Sequence, residues 1–291
     1  MWAKKETLMG NIVLLAETGS DIPPETARQY GIYIVPMHVS FGEETRDDGT
    51  FPPEEVCEYY RNAGKLPKTS GSVPEDFEVI YDRIHREHPD SQILYLAYSS
   101  VTTCSYQSGM IAAEGRDYVT ALDTKHVSVG QYVAVTTAAK LIREHPEWSV
   151  EEARDRAEEI SRRVRMCFVP DTLEFLRAGG RVSNAAALCG ALLKIHPRIE
   201  ILDGYLKATK KHRGTMKKIA PQLVRDYIAE QNLNKDEIWL IWAPGLDEEI
   251  KREAQEAARL SGVKKVTWVK TGGVITTHGG PGAFGVAGLV D

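Results

Sequence analysis

Residues 92–122 decide the architecture: Gln92-Ile93-Leu94-Tyr95-Leu96-Ala97, then Tyr98-Ser99-Ser100-Val101-Thr102-Thr103-Cys104-Ser105, then Tyr106 to Glu114, and finally Tyr118-Val119-Thr120-Ala121-Leu122. The outer pieces are short apolar runs of strand length, and the piece after the hydroxyl-rich turn reads as helix. Two strands joined by a helical crossover make a βαβ unit, whose strands run parallel. An α/β protein with largely parallel sheets is therefore predicted.

The same alternation extends outward. Upstream strand candidates are Asn11–Ala16 and Tyr33–Ser40. Ser72-Val73-Pro74-Glu75 has the spacing of a capping box, ahead of a helix with Phe77, Ile80, Tyr81 and Ile84 on one face. Ser149-Val150-Glu151-Glu152 repeats that signal before a charged helix ending near Arg163. Downstream, Arg165–Val169 reads as a strand, and Asp171-Thr172-Leu173-Glu174 as the cap of a very short helix that Gly179-Gly180 stops. Arg198–Leu202 and Tyr205–Thr209 flank Asp203-Gly204, a dipeptide suited to a type I′ hairpin turn. Met216, Ile219, Ala220, Leu223, Val224, Tyr227 and Ile228 keep helical spacing, with Pro221 marking a kink or the true start. Glu237–Ala243 and Val266–Lys270 read as buried strands around a helix over Asp247–Leu260. At 291 residues the chain is long enough for two domains of roughly 100–200 residues each. These are placed at 1–162 and 163–291, although no Pro/Gly/Ser-rich linker marks the boundary.

Composition removes several classes of function. The net charge of −5 offers nothing to a phosphate backbone, so no nucleic-acid partner is expected. Lys207, Lys210, Lys211, Arg213, Lys217 and Lys218 do gather locally, a pattern that by default is a solvated face. The four cysteines, Cys57, Cys104, Cys167 and Cys189, lie far apart without a C-x-x-C pair, which argues against a disulfide framework or a zinc site. No segment approaches the ~20 apolar residues of a membrane span, and Ile12–Ala16 is too short for a signal-peptide core. A cytoplasmic protein without stable membrane insertion is expected.

Gly280-Pro281-Gly282-Ala283-Phe284-Gly285 matches G-x-G-x-x-G, but that fingerprint must open a long helix with an acidic residue ~20 positions on. It is rejected as a dinucleotide site. No phosphate loop, H-E-x-x-H or nucleophile elbow is present, so neither cofactor nor metal is expected. Among the eight histidines, His85, His88 and His145 sit in charged surroundings, and His126, His196 and His212 have no obvious partner. What remains is two hydroxyl-rich segments before helices, Pro67-Lys68-Thr69-Ser70-Gly71-Ser72 and Ser99 to Ser105. Hydroxyls and helix N-termini together would suit a carboxylate or a phosphate; singly, each segment is better explained as an ordinary cap or turn. His278 in Thr277-His278-Gly279-Gly280 adds a third polar element.

The order of these motifs resembles the DegV family of bacterial fatty-acid-binding proteins from Ile12 to Gly285. The family's D-S-T-x-D-[LI]-P corresponds to Glu17-Thr18-Gly19-Ser20-Asp21-Ile22-Pro23, and its [VI]-P-[LM] to Val35-Pro36-Met37. K-T-S-Q-P corresponds to Lys68-Thr69-Ser70-Gly71-Ser72 with the proline displaced to Pro74, and S-S-x-L-S-G-T-Y-Q to the segment from Ser99 to Gln107. V-x-D-[ST] is similar to Ala121-Leu122-Asp123-Thr124. D-T-L-E-x-L-x-x-G-G-R-[IV] runs unbroken from Asp171 to Val182, followed by Gly190 to Pro197, Asp203-Gly204, Lys211-His212-Arg213-Gly214 and the terminal Thr277 to Gly282.

The resemblance implies two α/β domains enclosing a lipid-binding tunnel, with no catalysis by the chain alone. It implies a long-chain fatty acid as ligand, presented to a dihydroxyacetone-kinase-like, ATP-dependent fatty acid kinase as partner. Carried over by position, Thr69, Thr103 and His278 would bind the carboxylate. Ser70, Ser100, Cys104 and Arg181 would support it, and Lys211 and Arg213 would help dock the partner. The departure from L-S-G to Thr102-Thr103-Cys104 puts a side chain where the family keeps bare backbone, so this turn must avoid positive φ. Two other readings stay open: an acyl hydrolase or transferase using Ser100 or Thr103 with His278 and Asp123, and a ligand sensor that has lost lipid binding.

Overall fold

The computed structural model describes residues 11–180 and 195–291. Cys189, Arg181 and the expected motif residues Gly190–Lys194 lie outside the described residues. The predicted βαβ unit is present as β6 (Gln92–Ala97), α4 (Ser105–Ala112) and β7 (Val119–Asp123), with Ile93 opposite Val119 in a parallel register. Together with β1 (Ile12–Glu17) and β2 (Ile32–Val35) these strands form an all-parallel sheet in the order β2-β1-β6-β7.

The strand expected over Tyr33–Ser40 is two strands. It breaks at Pro36-Met37, where proline has no N–H for the ladder. Beyond the break, β3 (His38–Phe41) joins β4 (Glu44–Asp47) and β5 (Lys68–Ser70) in a small antiparallel sheet. The helix α1 (Pro24–Tyr30) precedes β2, and α2 (Glu54–Ala63) lies between β4 and β5. Ser72 does not cap α3 (Pro74–Glu87). Its hydroxyl donates to the Pro36 carbonyl at 2.7 Å, while Asp76 accepts the N–H of the true N-cap, Val73, at 2.7 Å.

The second half departs from the parallel expectation. Its six-stranded sheet has the order β10-β9-β8-β13-β11-β12, and only β11 (Leu233–Trp242) and β12 (Lys265–Lys270) pair parallel among the described strands. The cause is β13 (Phe284–Val290), a strand hidden in sequence behind a glycine-rich segment, which enters antiparallel between β8 (Val164–Val169) and β11. β9 (Ile195–Leu202) and β10 (Tyr205–Arg213) make the predicted hairpin, with Asp203 at φ 51° and Gly204 at φ 83° as a type I′ turn requires. α7 (Glu174–Gly179) is stopped by Gly180 at φ 63°, but its N-cap is Leu173 rather than Asp171. α8 (Met216–Glu230) runs through Pro221, so the proline does not mark its start. α9 (Glu248–Leu260) connects β11 to β12 and is capped by Asp247.

The chain is thus a two-domain α/β protein, and α5 (Ser128–Glu144) joins its halves. This helix is buried on nearly every side, the pattern of a helix enclosed by protein all round. Val129, Val133, Ala134 and Ala138 belong to one apolar cluster with Leu14 and Leu96 of the first sheet and Met166, Ile241 and Ala287 of the second. α6 (Val150–Arg163) follows, ending one residue before β8. Its capping box is as predicted: Ser149 Oγ accepts the Glu152 N–H at 3.2 Å, and the Glu152 carboxylate accepts the Ser149 N–H at 2.9 Å. Ser149→Ala should lower unfolding free energy by ~1 kcal/mol, read as a lower urea midpoint at unchanged slope.

Candidate functional site

Helix α10 (Gly273–Gly279) connects the two halves at the site. Its first turn is held by carboxylates from the opposite end of the chain. Asp21 Oδ1 accepts the Gly272 N–H at 2.6 Å, and its Oδ2 accepts the Ser128 hydroxyl at 2.6 Å. Asp48 Oδ1 accepts the Gly273 N–H at 2.7 Å. Negative charge is favoured at a helix N-terminus, where N–H groups lack intrahelical partners. Burial nevertheless pushes both carboxyls up, Asp21 well above the usual range, against the pull of their hydrogen-bond donors. Asp21 stood in sequence only as a motif letter, and Asp48 carried no signal beyond an ordinary turn.

Val274, Ile275 and His278 share one face of α10 and line a cavity, with Thr271 just ahead of the first turn. The space these residues border is about 950 Å³ when its open mouth is counted. Met37, Tyr98, Met166, Phe168, Leu176 and Leu206 make its walls largely apolar. These side chains come from both halves of the chain, so the cavity exists only once the two sheets are packed.

One part of the lining is polar. Thr69 Oγ1 and His278 Nε2 are hydrogen-bonded at 2.8 Å across 209 residues of sequence. The imidazole lies against Gly179, where an added Cβ would sit 2.4 Å from His278 Nδ1. The glycine that ends α7 therefore also makes room for the histidine. Thr103 reaches the same place from the turn before α4: a Cβ on Gly71 would stand 2.3 Å from Thr103 Oγ1. Thr103 Oγ1 is 3.1 Å from Ser105 Oγ, which in turn accepts the Ser72 N–H at 3.1 Å. The two hydroxyl-rich segments are thus interlocked, and Thr69, Ser70, Gly71, Thr102, Thr103 and His278 all line the one cavity.

The remaining candidates fall elsewhere. Ser100 does not line the cavity; its hydroxyl donates to Asp123 Oδ2 at 2.6 Å, so Ser100, Asp123 and His278 do not form the arrangement that an acyl hydrolase needs. Cys104 is exposed, in the N-cap position of α4 at φ −79°, the negative φ its side chain requires. Lys211 and Arg213 are exposed on the edge strand β10, whereas Lys210 pairs with Glu230 and Lys217 with Glu249. Two histidines without an evident role have structural partners. His126 Nε2 meets the Ser161 carbonyl at 2.8 Å, with burial pushing the imidazole down to about 4, and His196 lies between the Pro170 and Gly214 carbonyls.

Behind the cavity wall, Glu17 is fully buried at the end of β1. Its carboxylate accepts from the Tyr95 hydroxyl, from the Tyr98 N–H at 3.0 Å and from Gln131 Nε2 at 2.8 Å. Burial outweighs these donors and pushes its pKa up to about 7. The folded state then holds more protons than the unfolded chain between roughly pH 4.5 and 7, so stability falls as pH rises through that window and levels off above it. The contribution is about 3 kcal/mol. Unfolding free energies of Glu17→Gln and the parent, measured by urea titration from pH 4.5 to 8, should differ in slope, with the variant flatter between pH 4.5 and 7.

Known proteins share this fold. The model of the family described as "Uncharacterised protein, DegV family" matches residues 11–290. A DegV domain-containing protein of Deinococcus radiodurans is 31% identical over 95% of this chain and 98% of its own length. A fatty acid-binding protein of Thermotoga maritima is 29% identical over 94% of this chain and 96% of its own. The solved structure of a DegV family protein from Thermus thermophilus, described by its fatty acid binding, superposes with a TM-score of 0.86 at 27% identity, covering 97% of this chain and all of the other. With a family match over nearly its whole length and the same two-domain fold, this chain belongs to the DegV family.

Proposed function

We propose that this protein binds a long-chain fatty acid in the cavity along α10, with the carboxylate held by Thr69, Thr103 and His278. The observation that carries this reading is a largely apolar cavity whose lining gathers two hydroxyls and an imidazole from three distant segments. Threonine hydroxyls donate hydrogen bonds, and an imidazole N–H directed at a carboxylate makes a charge-assisted contact. An acyl chain, in contrast, gains only from apolar walls that remove it from water. The fatty acid-binding relative from Thermotoga maritima and the fatty acid-binding structure from Thermus thermophilus support the same ligand class. Residues 1–162 would contribute the hydroxyl turns, and residues 163–291 most of the acyl walls and His278.

In this reading the protein performs no reaction alone and presents the carboxylate to an ATP-dependent, dihydroxyacetone-kinase-like partner. No phosphate-cradling loop is present in the sequence, so ATP must be bound by the second protein. Such a kinase uses ATP, which makes the cytoplasm the implied compartment. Lys211 and Arg213, exposed on the edge of the second sheet, are the proposed contacts for that partner.

Replacing Thr69, Thr103 or His278 singly by alanine should weaken fatty acid binding by roughly ten- to a hundredfold, as expected for a lost hydrogen bond to a charged group. Isothermal titration with oleate or palmitate reads this directly, and parent-like affinity in all three variants would place the carboxylate elsewhere. Loaded protein mixed with ATP and Mg²⁺ should form acyl phosphate only when the kinase from the same genome is added. Arg213→Glu should slow that reaction most at low salt, where charge steering is least screened.

A further inference from the structure

Thr103 stands at the end of a chain of hydrogen bonds that starts at the break between β2 and β3. Ser72, fully buried, is anchored by its hydroxyl to the Pro36 carbonyl at 2.7 Å. The Ser72 N–H donates to Ser105 Oγ at 3.1 Å, and Ser105 Oγ lies 3.1 Å from Thr103 Oγ1. Thr103 Oγ1 also accepts the Ser105 N–H at 3.3 Å. The packing leaves no slack, since a Cβ on Gly71 would stand 2.3 Å from Thr103 Oγ1 and 2.7 Å from Ser105 Oγ. Thr103 lines the cavity, whereas Ser105 is fully buried and does not.

Either hydroxyl of the Ser105–Thr103 pair could donate to the other, and burial decides between them. If Thr103 donated, Ser105 Oγ would accept twice. Its own hydrogen would then be sealed in the interior with no acceptor among the described residues. A buried donor left unpaired carries the full cost of its lost hydration. If Ser105 donates, no group is stranded. Thr103 Oγ1 then accepts from both the N–H and the O–H of Ser105, which fills its two lone pairs and leaves only its hydrogen to place. That hydrogen has the cavity in front of it.

We propose that Ser105 is a positioning residue for ligand binding: by donating to Thr103 Oγ1 it holds the Thr103 hydroxyl as a donor directed into the cavity, ready for an anionic head group. The proposal rests on the fatty-acid reading of the cavity, and it gives Ser105 no contact with the ligand. Hydrogen bonds in series polarise one another, so the Thr103 hydroxyl donates more strongly with Ser105 behind it. A hydroxyl oriented before the ligand arrives also loses less rotational freedom on binding.

The test is a double-mutant cycle between Ser105→Ala and Thr103→Val, read by isothermal titration with oleate on variants shown to be folded by urea titration. With Thr103 present, Ser105→Ala should weaken oleate binding roughly three- to tenfold. In the Thr103→Val background the same change should leave affinity within about twofold, because the hydroxyl that Ser105 orients is gone. A merely structural role predicts otherwise. The Ser72 N–H loses its acceptor in both backgrounds, so a disturbance carried through the Gly71–Ser72 backbone to Thr69 would cost the same in each. An equal loss in both backgrounds therefore overturns the proposal, and so does parent-like affinity of Ser105→Ala. Should Ser105→Ala fail to fold, Ser105→Cys decides by the same cycle, since a thiol keeps the shape of the side chain and donates weakly. These outcomes leave the lipid-binding reading intact. A parent that takes up no oleate overturns both.

Discussion

Asp21 and Asp48 accept the N–H groups at the start of α10, and through that contact the N-terminal half of the chain positions a helix from the far C-terminal half. Buried carboxylates are costly unless their oxygens are matched by donors. Here the donors are the amides of Gly272 and Gly273, which a short helix would otherwise leave unsatisfied. Each side supplies what the other lacks. Because α10 carries Val274, Ile275 and His278, the contact sets one wall of the cavity and the place of its imidazole together.

The two sheets meet this arrangement from either side of α5. Ser128, at the start of that helix, donates to the same Asp21 that holds α10, so the central helix and the site helix share one buried anchor. The N-terminal half brings hydroxyls on two turns, and their close approach requires a bare backbone at Gly71. The C-terminal half brings the histidine, seated against Gly179. Polar chemistry and apolar walls are thereby brought together in one cavity, with the imidazole beside the hydroxyl of Thr69. A ligand with a charged head and an apolar tail suits that combination, as proposed above, because each part is stabilised only in its own surroundings.

Local signals in the sequence were sound where local physics decides. The βαβ unit of residues 92–122, the Ser149 capping box, the Asp203-Gly204 turn and the glycine stop of α7 depend on backbone propensity and near-neighbour hydrogen bonds. Signals failed where a distant group competed. Ser72 has the spacing of a cap, yet its hydroxyl is taken by the Pro36 carbonyl. The second sheet reads as parallel until β13 intervenes, and its glycines, which conceal it as a strand, allow close packing against β8 and β11.

What the sequence determined by itself was the α/β class, the family-like order of motifs and the residue types around the cavity, including Thr69, Thr103 and His278. Their meeting point was decided only by tertiary structure. Nothing within a window of residues tells Thr69 that it lies 2.8 Å from His278, or excludes Ser100, which bonds to Asp123 instead. The same holds for Asp48, whose local surroundings read as a turn. A hydrogen bond across 209 residues and a helix anchored from the other half arise when separate sheets pack. Short-range propensity has no access to such contacts, because they depend on which surfaces the packed core brings together.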